Sequence, residues 1–211
     1  MKNMLSIGLV VLILAIIVVA KWSVTPVTIT PTIIPTRSSS VTSPTPAGNL
    51  RIYNNTDFTL SYPSNFSIQT DTNAAGGNFL DTPILKVRFP ENAFSNTNFS
   101  EAYFVVSRSN EKITSLDCTG FIGTPDPAST ANQQQTINNI LFTDKDLTDA
   151  SAGNIYESKV YRTFHNDTCY EVALTLHTGN IHNYDPSVQE FKKSTAFDVL
   201  HQILATFHFN S

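Results

Sequence analysis

The chain has 211 residues, 13 of them Lys or Arg and 17 Asp or Glu, for a formal net charge of −4. All 17 acids but only ten of the basic residues lie within 49–211, so that part carries 10 − 17 = −7. With this balance a basic face for nucleic acid or for anionic lipid is not expected.

Residues 4–20, MLSIGLVVLILAIIVVA, are uncharged and almost wholly apolar, with Lys2 and Lys21 on either side. A helix needs roughly 17 to 25 apolar residues to cross a bilayer, and Trp22 adds an interfacial anchor. Residues 1–22 therefore read as a transmembrane signal anchor that ties the protein to the cell membrane. The run is longer than the roughly 7 to 15 apolar residues of a cleaved signal peptide. Val18 and Ala20 leave cleavage after Ala20, and secretion, as the alternative. Residues 23–48 hold five of the eleven prolines and twelve Ser or Thr. Such a segment buries too little apolar surface to offset its ordering entropy, and reads as an extended linker. The remaining 211 − 48 = 163 residues, 49–211, suffice for one domain with its own core and hold all 14 Phe. This domain is expected outside the cytoplasm. There the two cysteines of the chain, Cys118 and Cys169, are expected to form a disulfide.

Within the domain, FTLSY (58–62) alternates apolar and polar residues and reads as a half-buried strand ended by Pro63. FSIQT (66–70) follows closely enough to pair with it as a hairpin. Residues 71–78, rich in Gly, Asn and Asp, read as a loop. ILKVRF (84–89) and EAYFVVSR (101–108) read as strands. The stretch 111–121 is ambiguous. Ile113, Leu116 and Cys118 suit a short helix, while β-branched residues and Gly120 weaken it. Residues 124–130 read as loop, INNILFT (137–143) as a strand and TDKDLTDASAGN (143–154) as a turn-rich connection.

IYESKVYRTF (155–164) and TCYEVALTLH (168–177) flank His165, Asn166 and Asp167 and carry the strongest hairpin signal in the chain. In the second of these strands Tyr170, Val172, Leu174 and Leu176 point to one face. Cys169, Glu171, Ala173, Thr175 and His177 point to the other. A closing helix is expected, with Asp185 as its cap and Pro186 in its first turn. Its apolar stripe is Val188, Phe191, Thr195, Val199 and Ile203, widened by Ala196, Leu200 and Leu204. Residues 205–209 read as a short edge strand. The order of elements is α+β, an antiparallel sheet packed with helix.

Chemical motifs are few. His165, His177 and His182 fall within 165–186 together with Cys169 and Glu171. Zinc needs three or four converging ligands. Yet Glu171 and His177 stand about 20 Å apart along a strand, and His165 lies at the far end of the hairpin. The histidines therefore read as surface residues of a hairpin. Asp144, Asp146 and Asp149 resemble a calcium loop in spacing, but Asp149 stands where the sharp turn requires glycine, so they read as a solvated acidic loop. There is no nucleophile elbow and no phosphate-binding glycine loop, so no cofactor is implied. Four sequons occur, at Asn54, Asn65, Asn98 and Asn166.

FTLSYPSNF, near the start of the domain, resembles the opening of PsbP-like domains. The stretch CYEVALTLHTGNI, followed by a helix and ILATFHF, is similar to uncharacterised bacterial membrane-anchored or secreted proteins. The resemblance covers the two ends of the domain and implies an α/β/α sandwich, with about six or seven antiparallel strands and helices on both faces. It also implies a binding or assembly role and transfers no residue of function. The expected function is thus a membrane-anchored extracytoplasmic module without catalytic activity, with an envelope protein as partner. It would bind through the sheet face or through the loops at 71–80 and 123–135. Two other classes remain open: a small envelope hydrolase using carboxylates or histidines gathered by the fold, and a metal- or ligand-binding sensor.

Overall fold

The computed structural model describes residues 49–70, 80, 82–121 and 132–210, all within one compact unit. The apolar run 4–20, the linker and the loops at 71–78 and 124–130 lie outside the described residues. Among those described, no helix is long and apolar enough to cross a membrane.

Among the described residues ten strands form two antiparallel sheets. They are β1 (Leu50–Asn54), β2 (Phe58–Pro63), β3 (Ser67–Thr70), β4 (Thr82–Arg88), β5 (Phe99–Arg108), β6 (Gln133–Ile137), β7 (Ile140–Ser151), β8 (Asn154–His165), β9 (Thr168–Gly179) and β10 (His208–Phe209). The larger sheet has seven strands in the order β3-β4-β5-β9-β8-β7-β6, and the smaller has three in the order β1-β2-β10. Two α-helices join them, α1 (Ser115–Thr119) and α2 (Lys193–Leu204).

Strands β6 to β9 form a meander closed by three two-residue turns. Asn138 and Asn139, Ala152 and Gly153, and Asn166 and Asp167 all have positive φ. Paired positive φ values give the type I′ turn, whose twist matches that of the flanking strands. The β8–β9 turn is therefore Asn166-Asp167 alone, and His165 already pairs with Thr168.

Five expectations are corrected. The stretch 137–143 is not one strand: the Asn138-Asn139 turn divides it between β6 and β7. Strand 66–70 does not pair with 58–62: β3 pairs with β4, while β2 lies between β1 and β10 in the other sheet. Pro63 and the turn Ser64–Asn65 redirect the chain between sheets. The segment 143–154 is strand up to Ser151, because its polar residues pair along β8 and only Ala152-Gly153 turns. The closing helix starts at Lys193, after a 3-10 turn at Ile181–Asn183. Asp185 instead accepts from the Ser187 N–H in a local turn. Its buried stripe is Ala196, Leu200, Ile203 and Leu204: Ile203 belongs to the expected stripe, and the other three are residues expected only to widen it. The ambiguous stretch 111–121 does contain a helix. Thr114 Oγ1 accepts from Asp117 N at 3.1 Å, which caps the first turn of α1.

The main core lies on the face of the large sheet covered by α2 and β2. Phe58, Leu60, Leu85, Phe104, Leu174, Leu176, Leu200 and Phe207 are all buried there. The alternation of β9 is as expected, but its second face is not a surface. Glu171 is 0% exposed and Cys169 1%. Phe121, Val160 and Ala173 form a small second cluster on that side.

Candidate functional site

The second face of the large sheet carries the polar side chains, and cross-strand register assembles them. Toward one end, Ser107, Glu171 and Arg162 lie side by side on β5, β9 and β8. Arg162 Nε donates to Glu171 Oε2 at 2.9 Å, with side chains 3% and 0% exposed. Ser107 Oγ donates to Glu171 Oε1 at 3.4 Å. The Phe121 ring lies 4.7 Å from the guanidinium and closes the stack. Beside them, Cys118 of α1 and Cys169 of β9 lie at disulfide distance, with Cα atoms 5.6 Å apart and sulfurs 1.99 Å apart. That Cα separation falls inside the range a bridge requires. It pins the five-residue α1, too short to hold by itself, onto the sheet.

Toward the other end the same face becomes partly open. Glu101, His177 and Tyr156 align on β5, β9 and β8. His177 stacks on Tyr156, with centroids 4.2 Å apart and planes at 15°. Its Nε2 donates to Asn154 Oδ1 at 2.8 Å, and its Nδ1 lies 3.8 Å from Glu101 Oε1. Arg88 Nη2 holds Glu101 Oε2 at 2.9 Å. One row further in, Lys86 Nζ sits 3.9 Å above the Tyr103 ring. Burial lowers the His177 pKa, against the pull of Glu101. Burial, then Glu101, pushes the Tyr103 hydroxyl up to about 12, and burial lowers Lys86. The row is thus an alternating set of neutral imidazole, carboxylate and guanidinium. It can offer donors, an acceptor and an aromatic edge to a partner.

The three clustered histidines do not converge. His165 stacks on Phe209 at 3.9 Å, beside the hairpin tip. His182 is exposed in the 3-10 turn. Among the described residues no group of three or more His, Cys, Asp or Glu is placed to hold a metal ion. Asp144, Asp146 and Asp149 are strung along β7 and do not form a loop. Asp144 accepts from Gln135 at 3.0 Å, and Asp146 from Lys159 at 2.8 Å. Of the sequons, Asn54, Asn65 and Asn166 are exposed. Asn98 is buried and donates to Gly179 O at 2.6 Å while accepting from Phe191 N at 2.7 Å.

Sequence reasoning missed Arg88, Glu101, Asn154 and Tyr156. Tyr156 was within reach: with Asn166-Asp167 as a two-residue turn, counting back from the tip places it opposite His177. Arg88 and Glu101 reach the row through the β4–β5–β9 order, for which the sequence holds no local signal.

No family model matches the chain, and no curated protein does. Solved structures are similar over much of it. A crystal structure from Bacteroides thetaiotaomicron VPI-5482 has a TM-score of 0.43 at 12% identity, covering 78% of this chain and 49% of that one. The chain therefore spans about half the length of that protein. A Pseudomonas aeruginosa protein of unknown function, PA94, described as a candidate regulator, has a TM-score of 0.35 at 15% identity. That match covers 72% of this chain and 96% of the other. At these scores neither likeness carries an argument about function.

Proposed function

We propose that residues 49–211 are an extracytoplasmic binding or assembly module without catalytic activity, held at the cell membrane by residues 4–20 through the linker 23–48. The observation that carries this reading is the pairing of Cys118 with Cys169 across α1 and β9, at a Cα separation of 5.6 Å. Structural bridges of this kind belong to oxidising compartments, and the long apolar run stands at the start of the same chain. The geometry around His177 suits a contact surface. Its Nε2 is taken by Asn154 and its Nδ1 faces a carboxylate held by Arg88. Helices on both faces of a seven-stranded sheet support a PsbP-like arrangement.

An envelope protein is the partner this reading expects, met by the row Arg88, Glu101 and Tyr156. Two measurements test it. Protease added to intact cells should degrade the domain of the full-length protein; protection until lysis sinks the placement. A thermal-shift series on the oxidised full-length protein with calcium, zinc, manganese and envelope sugars should leave the melting temperature unmoved. A concentration-dependent rise with one of them overturns the module in favour of a ligand or metal sensor.

A further inference from the structure

Strand β6, residues Gln133–Ile137, forms one edge of the seven-stranded sheet. Exposed strand edges are templates for pairing, and proteins guard them with charge, proline, bulges or short length. The other edge of this sheet, β3, is only four residues long. Beyond Asp144 the outer side of β7 has no strand on it among the described residues, and it carries Lys145, Asp146 and Asp149. Strand β6 shares with β3 the lack of charge, is one residue longer and reads QQQTI. It has no charge and no proline, its pairing with β7 has no register shift, and Gln133, Gln134, Gln135 and Thr136 are exposed.

We propose that β6 is a dimerisation edge, pairing antiparallel with β6 of a second copy of this chain about a two-fold axis at Gln135. Register admits a second copy. Ile137 and Ile140 flank the two-residue turn Asn138-Asn139 and form its hydrogen-bonded pair. Gln133, Gln135 and Ile137 therefore direct their backbone groups toward β7, and Gln134 and Thr136 direct theirs outward. A two-fold axis at Gln135 places Gln134 opposite Thr136 of the partner, so the outward groups meet as hydrogen-bonded pairs. Sliding one residue would break every one of them. Gln135 then faces its own copy as a non-hydrogen-bonded pair, and Gln133 faces Ile137. No like charges oppose each other, which matters for a domain carrying 10 − 17 = −7. The uncharged edge lets two such domains approach. The inference stands apart from whatever the module binds.

The test uses full-length protein carrying one added cysteine, the native pair remaining bridged. Cα atoms across a non-hydrogen-bonded pair lie about 4.5 Å apart, within the disulfide range. Gln135→Cys should therefore cross-link to a covalent dimer under mild oxidation. Gln133→Cys should remain monomeric, since four residues of offset at about 3.4 Å each separate it from its copy. Adding Thr136→Pro removes one outward N–H and none bonded to β7, and should suppress the Gln135→Cys cross-link several-fold. Gln134→Lys, an exposed change, should do the same and covers the case in which the proline unfolds the hairpin. Equal cross-linking of the two cysteine variants indicates random collision and overturns the proposal. So does cross-linking insensitive to both edge changes, or a monomer by light scattering together with no Gln135→Cys dimer.

Discussion

The two faces of the large sheet are closed by different means. On one, α2 and β2 cover an aromatic and aliphatic layer in which Phe104, Leu174 and Leu200 are fully buried. On the other, a five-residue helix, a buried ion pair and a cysteine bridge do the same task. The first face is held by area removed from water, which is non-directional and tolerant of small shifts. The second depends on a few directional contacts, each of which fails abruptly when one partner is lost. The difference teaches where substitutions should be graded and where they should be all-or-none.

The sharpest break of that comparison comes from paired substitutions, measured by chemical denaturation. Phe104→Ala on the apolar face should cost about 3–5 kcal/mol through transfer loss and cavity. Arg162→Met on the polar face should cost a comparable 3–5 kcal/mol, because the fully buried Glu171 loses the guanidinium that balances its charge. The two diverge in the second step. Arg162→Met with Glu171→Leu should recover most of the loss, whereas no second change nearby restores Phe104 so simply. A double variant as unstable as the single would show that the ion pair itself, and not the burial of an unbalanced carboxylate, holds the polar face.

Next in size is the bridge. In the chain-entropy account a loop of 51 residues is worth about 4 kcal/mol at most. Reduction should lower the melting temperature and speed hydrogen exchange in α1 ahead of α2. Uniform loosening of both helices would mean the two faces are not separable units.

The pH response is smaller and touches both faces. His177 on the polar face and His201 of α2, on the main-core side, both have pKa values lowered from 6.5, chiefly by burial. His201 Nε2 lies 2.8 Å from Tyr161 Oη, and Lys159 adds to its lowering. A histidine depressed in the folded state is protonated first in the unfolded chain. Its stabilising contribution is therefore full above about pH 6.5 and declines as pH falls toward the folded value. Stability measured from pH 7.5 to 5.5 should drop, and His177→Gln with His201→Gln should flatten the slope. An unchanged slope assigns the response to other groups. The smallest effect expected is from Asp146→Ala. It breaks an exposed pair with Lys159, and its cost by denaturant melt should stay below about 1 kcal/mol.

Local chemistry was well written in the chain. The Asn-Asp turn, the alternation of β9 and the terminal edge strand needed only neighbouring residues, because turn dihedrals and a period of two are short-range properties. The helix boundary went astray because Val188 and Phe191 continue an apolar period that the backbone does not follow. The Gln189 N–H bonds Asn96 O, and the Phe191 N–H bonds Asn98, which pulls that segment out of helix.

The sequence by itself determined the charge of −7 over 49–211, the α+β class, the central hairpin and which side of β9 meets the main core. These follow from composition and from interactions within a few residues. Only the tertiary structure decided that β3 joins β4 instead of β2, that Glu171 is buried against Arg162, and that Arg88 and Glu101 stand beside His177. Strand order is chosen by the summed burial of distant segments. No local pattern encodes a sum of that kind before the sheet has closed.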